Sequence, residues 1–125
     1  MHKEPIGQAT LEHWTPEDVK AALDRREILL IDVRTPQEYL FEKIPGALLL
    51  PMAEFDATIL PAQSDRTVVF HCGSGMRSRK VAEAWIAAGH ARACHLEGGF
   101  AAWKTAALPY LGTDPATGFP RKVGG

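Results

Sequence analysis

The chain has 125 residues, of which 46% are hydrophobic and 23% charged, a composition typical of one soluble globular domain with a single core. Its net charge is −1, so no charge excess favours nucleic acid or an anionic membrane as a partner. The apolar runs are only a few residues long and the N-terminal stretch lacks a secretory signal, which predicts a cytoplasmic protein without a membrane span.

In the first half of the chain, two helix starts alternate with two apolar runs. Residues 15–23 and 35–43 each begin with a threonine that can cap a helix, followed by a proline that suits the first helical position. Residues 28–33 form a continuous apolar run, typical of a strand buried on both faces. A second strand is predicted at 47–50, and a weak helix at 53–59.

The second half continues the alternation. Residues 67–71 are β-branched and aromatic and form the clearest strand of the chain. An amphipathic helix is predicted at 77–88, with Gly89 ending it. A strand at 93–96 and a last helix at 100–106 follow.

Strands that alternate with helices predict an α/β fold. We expect a mostly parallel sheet of about five strands with helices on both faces. The chain divides into an N-terminal segment at 1–10, the α/β domain at 11–108, and a C-terminal tail at 109–125. The tail is rich in proline and glycine and is predicted to be irregular.

The residues after strand 67–71 are predicted to place a reactive thiol beside an anion-binding turn. They are Cys72, Gly73, Ser74, Gly75, Met76, Arg77 and Ser78. They follow a parallel strand, so they lie at the sheet edge where open α/β folds bind ligands. The two glycines permit a tight turn whose N–H groups, with the helix start and Arg77, attract an anion. This environment lowers the pKa of the Cys72 thiol and predicts a nucleophile.

The two cysteines of the chain have different expected roles. A pair of cysteines does not form a disulfide framework, and neither has the spacing of a zinc site. For Cys72 the alternative is an inert, buried cysteine at the end of a strand. Cys94 lies inside an apolar strand and is predicted to be a core residue, with a role as a resolving thiol as its alternative.

Other polar residues near the loop are interpreted as structural. Asp32 and Arg34 follow an apolar strand and are expected to brace the sheet edge through ion pairs. His71 should point to the opposite side of its strand from Cys72, so it is expected to be packed or hydrogen-bonded, not a base. Met76 is expected at the mouth of the pocket, where an adaptable apolar side chain shapes access.

Three segments, in this order, resemble the signatures of the rhodanese family of sulfurtransferases. They are the stretch from "IDVR" to "IPGA" at 31–47, the loop at 72–78, which is similar to Cys-x-x-Gly-x-Arg-Ser, and "LEGGFAAW" at 96–103. One departure is Glu42-Lys43, which stands where the family usually has Gly-His. That position is remote from the cysteine in the family pattern, so we expect a local effect on packing or charge.

The resemblance implies a sulfurtransferase in which Cys72 takes a sulfane sulfur from a small anionic donor, with thiosulfate favoured, and holds it as a persulfide. The acceptor would be cyanide in vitro, and a thiol or a sulfur-accepting protein in cells. No metal and no organic cofactor are expected.

Two alternatives share the fold implied by this resemblance. Rhodanese-like phosphatases and arsenate reductases have a loop that is one residue longer between cysteine and arginine. Only four residues separate Cys72 from Arg77, which favours a persulfide sulfur over a tetrahedral oxyanion. The other alternative is a non-catalytic binding module, although such modules typically lack the cysteine that this chain keeps.

Overall fold

The computed structural model describes residues 1–57 and 65–124, which contain four α-helices, eight strands and one short 3₁₀ turn. The strands are β1 (His2–Ile6), β2 (Ala9–Trp14), β3 (Ile28–Asp32), β4 (Leu48–Leu49), β5 (Thr67–His71), β6 (Arg92–Leu96), β7 (Tyr110–Thr113) and β8 (Pro120–Val123). The helices are α1 (Pro16–Asp24), α2 (Pro36–Phe41), α3 (Met76–Ala87) and α4 (Gly99–Thr105).

Six of the strands form one sheet in the spatial order β1-β2-β6-β5-β3-β4. The β1–β2 pair is antiparallel, and the other four pairs are parallel. Strand β5 lies between β3 and β6, so the segment that follows it opens at the edge where the parallel strands end. The predicted α/β fold with a mostly parallel sheet is confirmed, with six strands in place of about five.

Local sequence signals explain where the first two helices begin. Thr15 Oγ1 accepts the N–H of Asp18 at 3.1 Å, and an Asp18 carboxylate oxygen accepts the N–H of Thr15 at 3.1 Å. Thr35 and Glu38 make the same reciprocal pair at the start of α2, with both distances 3.2 Å. Each reciprocal pair is a capping box, which satisfies two N–H groups that a helix start leaves without partners. In both cases the capping threonine is followed by a proline at the first helical position.

The helices cover both faces of the sheet and divide the core in two. On one face, Val19 of α1 packs with Phe100 and Trp103 of α4. On the other face, Val81 and Trp85 of α3 pack against the sheet together with Phe70. Strands β3 and β5 are therefore buried from both sides, which explains their continuous apolar sequences. None of the helices in the described part of the chain is both long and apolar enough to cross a bilayer.

The sheet begins earlier than the sequence predicts. Residues 1–10 were expected to form a segment outside the α/β domain, but His2–Ile6 pairs with Ala9–Trp14 as an antiparallel hairpin at the sheet edge. The turn between them uses Gly7 at φ +60°, a left-handed conformation that glycine adopts without strain. Strand β1 escapes prediction because an edge strand tolerates charged residues and the proline Pro5, so it shows no apolar run.

The C-terminal tail is not irregular, and here the prediction is wrong. Tyr110–Thr113 and Pro120–Val123 form an antiparallel pair. The pair is attached to the domain because Leu111 and Lys43 exchange two backbone hydrogen bonds of 2.9 Å, and because the Tyr110 ring meets the Phe100 ring edge-to-face.

The prediction of a weak helix at 53–59 is also wrong for those of its residues that the structure describes. The structure has a single 3₁₀ turn at Met52–Glu54, and residues 55–57 are not helical. The last two positions of the prediction lie outside the described residues. A short segment after Pro51 has too few residues to form a stable helical nucleus without a side-chain cap, and no such cap is present at Pro51.

The capping box of α1 gives a test of how much local signals stabilise the fold. Thr15→Ala removes the oxygen that accepts the Asp18 N–H, and we expect the free energy of unfolding to fall by about 1 kcal/mol. Urea denaturation measures this change. Thr105→Ala, at the exposed end of α4, is the control and should stay within about 0.5 kcal/mol of the parent. Equal losses in the two variants would contradict the assigned role of Thr15.

Candidate active site

The predicted nucleophile lies where the central strand gives way to a helix. Cys72 directly follows β5, and the chain turns through Gly73, Ser74 and Gly75 before α3 begins at Met76. Gly75 has φ +100°, which a residue with a side chain rarely adopts, so the turn requires glycine at this position. The Cys72 side chain is fully buried, with 0% of the residue exposed.

Hydrogen-bond donors from Gly75, which precedes α3, and from Ser78 in its first turn converge on the Cys72 sulfur. The N–H of Gly75 lies 3.1 Å from Sγ, and the N–H of Ser78 lies 3.3 Å from it. The Ser78 hydroxyl is 3.6 Å from Sγ. The N–H of Ser78 belongs to the first helical turn, which has no carbonyl partner inside the helix, so the sulfur takes the place of a helix cap.

These donors favour the thiolate form of Cys72. Burial of the sulfur acts to raise its pKa, because a charge is costly away from water. The N–H and hydroxyl of Ser78, with the N–H groups of Gly75 and Ser74, outweigh that effect and hold the pKa below the ordinary value of a thiol. The arrangement therefore favours a sulfur nucleophile through hydrogen bonds to the sulfur itself.

A second turn, which leads from β6 into the first residues of α4, holds the loop from behind. The N–H of Phe100 donates to the Cys72 carbonyl at 2.8 Å, and the N–H of Ala101 donates to the Gly73 carbonyl at 3.0 Å. Gly99 has φ +61°, and a Cβ added there would lie 2.5 Å from the Cys72 carbonyl oxygen. The absence of a side chain at Gly99 is thus what lets the two turns touch. The sequence signature at 96–103 contains this glycine, but its role as a spacer could not be derived from the sequence.

Arg77 lies at the rim of the loop, where it forms an ion pair with a carboxylate. Its guanidinium donates to both carboxylate oxygens of Glu38 in α2, at 2.7 and 3.0 Å. Those hydrogen bonds lower the pKa of Glu38 to about 2 and raise the pKa of Arg77. In the sequence, Glu38 stands three residues after Thr35 in the pattern of a helix cap, and nothing there indicates a contact with Arg77, 39 residues further along the chain. The positive potential expected from Arg77 is therefore largely balanced by a carboxylate within the same rim.

Two of the remaining loop residues lie at the protein surface, and the third is buried next to the sulfur. Met76 is 72% exposed and Ser74 is also exposed, whereas Ser78 is buried beneath them. A cavity of about 480 Å³ opens beside Arg77 and is lined by residues 33–37 and 51–54 together with this arginine. The structure brings all seven predicted loop residues together, and their roles in a reaction stay predictions.

The neighbouring polar residues of β3 and β5 form a buried brace. Arg34 Nη2 donates to an Asp32 carboxylate oxygen at 2.8 Å and to the Glu42 carbonyl at 2.6 Å. His71 is fully buried, and its Nε2 lies 3.4 Å from Asp32 Oδ2. Burial lowers the pKa of His71 to about 4, so the ring is neutral at physiological pH and is a weak base. Asp32 and Arg34 thus form the expected ion pair, whereas His71 is packed beside them as a neutral ring whose buried Nε2 has no hydrogen-bond partner among the described residues.

Cys94 differs from Cys72 in its electrostatic surroundings. It is buried in β6, and its sulfur lies 3.7 Å from a carboxylate oxygen of Glu12. Burial raises the pKa of Cys94 to about 12, which keeps it a thiol. This supports the prediction that Cys94 is a core residue.

Near the N-terminus, His2, His13 and Glu97 place possible ligand atoms within 4.8 Å of one another. Both ring nitrogens of His13 already have hydrogen-bond partners, however, so the ring has no free nitrogen for a metal.

Comparisons with known proteins place this geometry in a family. The family model described as "Rhodanese-like domain" matches residues 15–106. A sulfurtransferase from Allochromatium vinosum is 36% identical over 91 residues, which cover 73% of this chain and 85% of that protein. An uncharacterised protein from Synechocystis is 35% identical over 101 residues, and there the match covers 81% of this chain and 56% of the relative.

Solved structures show the same fold. The chain is 29% identical to a thiosulfate sulfurtransferase from Pseudomonas aeruginosa, with a TM-score of 0.71 over 80% of this chain and 20% of that one. A Rhodopseudomonas palustris protein described as a possible tyrosine phosphatase is 30% identical, with a TM-score of 0.70 over 79% of this chain and 83% of that one.

The contact between the two turns can be tested with a matched pair of glycine variants. Gly7 and Gly99 have nearly the same φ, +60° and +61°, but a Cβ at Gly7 meets nothing within 4 Å. We expect Gly7→Ala to cost about 1–2 kcal/mol, which is the cost of the left-handed backbone alone. Gly99→Ala should cost at least about 1 kcal/mol more and raise the pKa of Cys72, because the loop must move away.

Urea denaturation and the ultraviolet absorbance of the thiolate measure the two effects. Similar stability of the two glycine variants, with an unchanged pKa of Cys72, would contradict the role of Gly99 as a spacer.

Proposed function

The chain belongs to the rhodanese-like domain family, and we propose that it moves a sulfane sulfur from a small anionic donor to a thiophilic acceptor through a persulfide on Cys72. Thiosulfate is the favoured donor. A thiol or a sulfur-accepting protein is the expected acceptor in cells, and cyanide can replace it in vitro. The proposal keeps the cytoplasmic location predicted from the sequence, where both cysteines would stay reduced.

One observation carries this proposal: the donors of the loop point at the sulfur itself. Two N–H groups lie 3.1 and 3.3 Å from Cys72 Sγ. Only four residues separate Cys72 from Arg77, so the loop is short for a group as large as a tetrahedral oxyanion. The persulfide adds one sulfur atom to Cys72, and this single atom suits the short loop better than a phosphate group with its four substituents.

In the first step, the Cys72 thiolate attacks the outer sulfur of thiosulfate. A new S–S bond forms between Sγ and that sulfur, and the S–S bond of the donor breaks, so sulfite leaves with the electron pair. The persulfide anion that results needs hydrogen-bond donors. The helix start leaves the N–H groups of Met76 and Arg77 without intrahelical carbonyl partners, and we assign them to the outer sulfur.

In the second step, a nucleophilic acceptor attacks the outer sulfur of the persulfide. The Sγ–S bond breaks and returns its electron pair to Cys72 as a thiolate, while the acceptor gains one sulfur. Cyanide would become thiocyanate, and a thiol would become a persulfide. The two steps are separated by a covalent intermediate, which is the arrangement that gives ping-pong kinetics.

The ion pair between Arg77 and Glu38, at the rim of the loop, determines how a donor reaches the buried sulfur. Cys72 has no exposed surface, so a donor must pass Met76 and Arg77. A thiosulfate dianion competes with the Glu38 carboxylate for the Arg77 guanidinium, because both anions match its planar fork. In this account, Arg77 exchanges Glu38 for the donor, and Glu38 recovers the arginine when sulfite leaves.

The competing function is oxyanion chemistry of the phosphatase type. It is kept as an alternative because one similar structure is described as a possible tyrosine phosphatase. A phosphatase would form a phosphocysteine in place of a persulfide, and it would hydrolyse an aryl phosphate.

The intermediate is tested by intact mass after incubation with thiosulfate. We expect the wild type and Cys94→Ser to gain the mass of one sulfur atom, which a reductant or cyanide removes. Cys72→Ser should gain nothing while keeping the circular dichroism of the parent. Sulfur on Cys72→Ser, or hydrolysis of an aryl phosphate without any sulfur loading of the wild type, would contradict the proposal.

The competition at the rim predicts the effect of Glu38→Gln on donor binding. Removing the carboxylate charge frees Arg77, so KM for thiosulfate should fall by about threefold, the size expected for one ion pair whose side chains are a little over one-third exposed. Arg77→Gln should raise KM for thiosulfate, because it removes the cation that receives the dianion. Steady-state kinetics with cyanide as acceptor measures both. A higher KM in Glu38→Gln would show that Glu38 holds Arg77 in place for the donor and would overturn the competition.

A further inference from the structure

A continuous row of hydrogen-bond partners leads from Cys72 towards the protein surface. Ser78 Oγ lies 3.6 Å from Cys72 Sγ and 2.9 Å from His95 Nδ1. It also lies 3.2 Å from the Gly75 carbonyl oxygen, which competes with these partners for the single proton of the hydroxyl. His95 Nε2 lies 2.8 Å from His13 Nδ1, and His13 Nε2 lies 2.9 Å from Glu4 Oε1. We propose that Ser78, His95, His13 and Glu4 form a proton relay, which takes the proton from the Cys72 thiol when the thiolate forms and returns it afterwards.

The relay is a product of strand register, so it is built into the fold. His13 and His95 are direct partners across the parallel pair β2–β6. Strand β1 then places Glu4 beside His13 from the antiparallel side, and α3 places Ser78 between His95 and the sulfur. The three inner members are buried, and Glu4 is about one-third exposed, so the row connects a buried sulfur to the solvent.

One proton pattern along the relay corresponds to the thiol. Cys72 S–H donates to Ser78 Oγ, and the Ser78 hydroxyl donates to His95 Nδ1. The Nε2–H of His95 donates to His13 Nδ1, and the Nε2–H of His13 donates to the Glu4 carboxylate. Every hydrogen bond in this pattern has one donor and one acceptor, and both histidines are neutral.

A second pattern corresponds to the thiolate, and it differs by one proton moved along each link. The Cys72 proton passes to Ser78 Oγ, the Ser78 proton to His95 Nδ1, and the His95 Nε2 proton to His13 Nδ1. Cys72 is now an anion that accepts the Ser78 hydroxyl, and His13 is an imidazolium that donates to Glu4. No proton is gained or lost in total, and every link is again satisfied.

The charges around the relay suit this transfer. Burial lowers the pKa of His95 to about 4, so this ring stays neutral in both patterns. Hydrogen bonds from Arg79 and then His13 lower the pKa of Glu4 to about 2, so Glu4 is a carboxylate throughout. Arg79 of α3 donates to both Glu4 oxygens, at 2.9 and 2.7 Å. Glu4 thus lies between two cations when His13 is protonated, and its charge compensates the imidazolium.

Two further pairs of groups lie near His13 and Cys72, namely His2 with Glu97 and Arg77 with Glu38. The His2 ring of β1 stacks on the His13 ring with centroids 4.2 Å apart, and Glu97 lies 4.0 Å from His2. On the opposite side of the loop, Arg77 and its partner Glu38 face Cys72. These groups set the background field, but no hydrogen bond of the relay passes through them.

The outer half of the relay lies outside the part of the chain that the family model matches. That match begins at residue 15, whereas Glu4 and His13 belong to the N-terminal hairpin. The role of the relay in preparing Cys72 for reaction rests on the proposed sulfur transfer. The hairpin therefore contributes to the reactive thiol as well as to the sheet edge.

The test is a pH titration of the Cys72 thiolate, followed by its ultraviolet absorbance against a Cys72→Ser blank and with a chelator present. This readout needs no sulfur donor, so its outcome is independent of whether the protein transfers sulfur. The variants are His13→Gln and Glu4→Gln, which keep hydrogen-bonding groups but cannot hold the proton or its compensating charge. The control is His90→Gln, whose ring stacks on Trp85 away from the relay.

We expect the titration midpoint of Cys72 to rise by about one pH unit in His13→Gln and in Glu4→Gln, which lowers the thiolate fraction below the midpoint by about tenfold. His90→Gln should titrate like the parent. Glu4 is partly exposed, so Glu4→Gln decides the question if His13→Gln does not fold. An unchanged midpoint in the folded variants, or an equal shift in His90→Gln, would overturn the relay.

Nitrogen-15 NMR of the histidine rings gives a second, reciprocal measurement on the wild type. Alkylation of Cys72 removes the thiolate charge, so by linkage His13 should then lose its proton at lower pH, while the titration of His90 stays the same. If His13 titrates identically before and after alkylation, its proton is not coupled to the sulfur and the proposal is wrong.

Discussion

A buried sulfur anion has to obtain from protein N–H groups the stabilisation that water would otherwise supply, and this requirement organises the structure. Cys72 is fully buried, and its sulfur receives the N–H groups of Gly75 and Ser78. Those groups converge only because Gly75 adopts a left-handed conformation and because Gly99, lacking a side chain, lets the next turn hold the loop from behind. The parallel sheet places both turns at one edge, where the reaction that we propose takes place.

Much of the fold and the loop was predictable because the responsible signals are local. The threonine-proline starts at Thr15 and Thr35 determine two helices through contacts three residues apart. The apolar runs at 28–33 and 67–71 correspond to strands buried on both faces. The "CGSGMRS" stretch carries its own glycine turn, helix start and sulfur, so it can be recognised in the sequence, whereas the support that the loop receives from the start of α4 cannot.

Other features escaped prediction because they depend on pairing between distant segments. Glu38 looks like a helix cap in the sequence, and its contact with Arg77 spans 39 residues. His13 and His95 become neighbours only through the register of β2 and β6, 82 residues apart in the chain. The hairpin that carries Glu4 is an edge element whose charged and proline residues hide its strand character. The site's electrostatics were therefore less predictable than its backbone.

If the Cys72 loop carries a sulfur atom between a donor and an acceptor, a crystal structure of the protein after exposure to thiosulfate will show it. We expect one additional atom bonded to Cys72 Sγ and within hydrogen-bond distance of backbone N–H groups from the start of α3, with Cys94 unmodified. An unmodified Cys72 in crystals that contain thiosulfate, or the additional sulfur on Cys94, would show that the loop does not carry sulfur in this way.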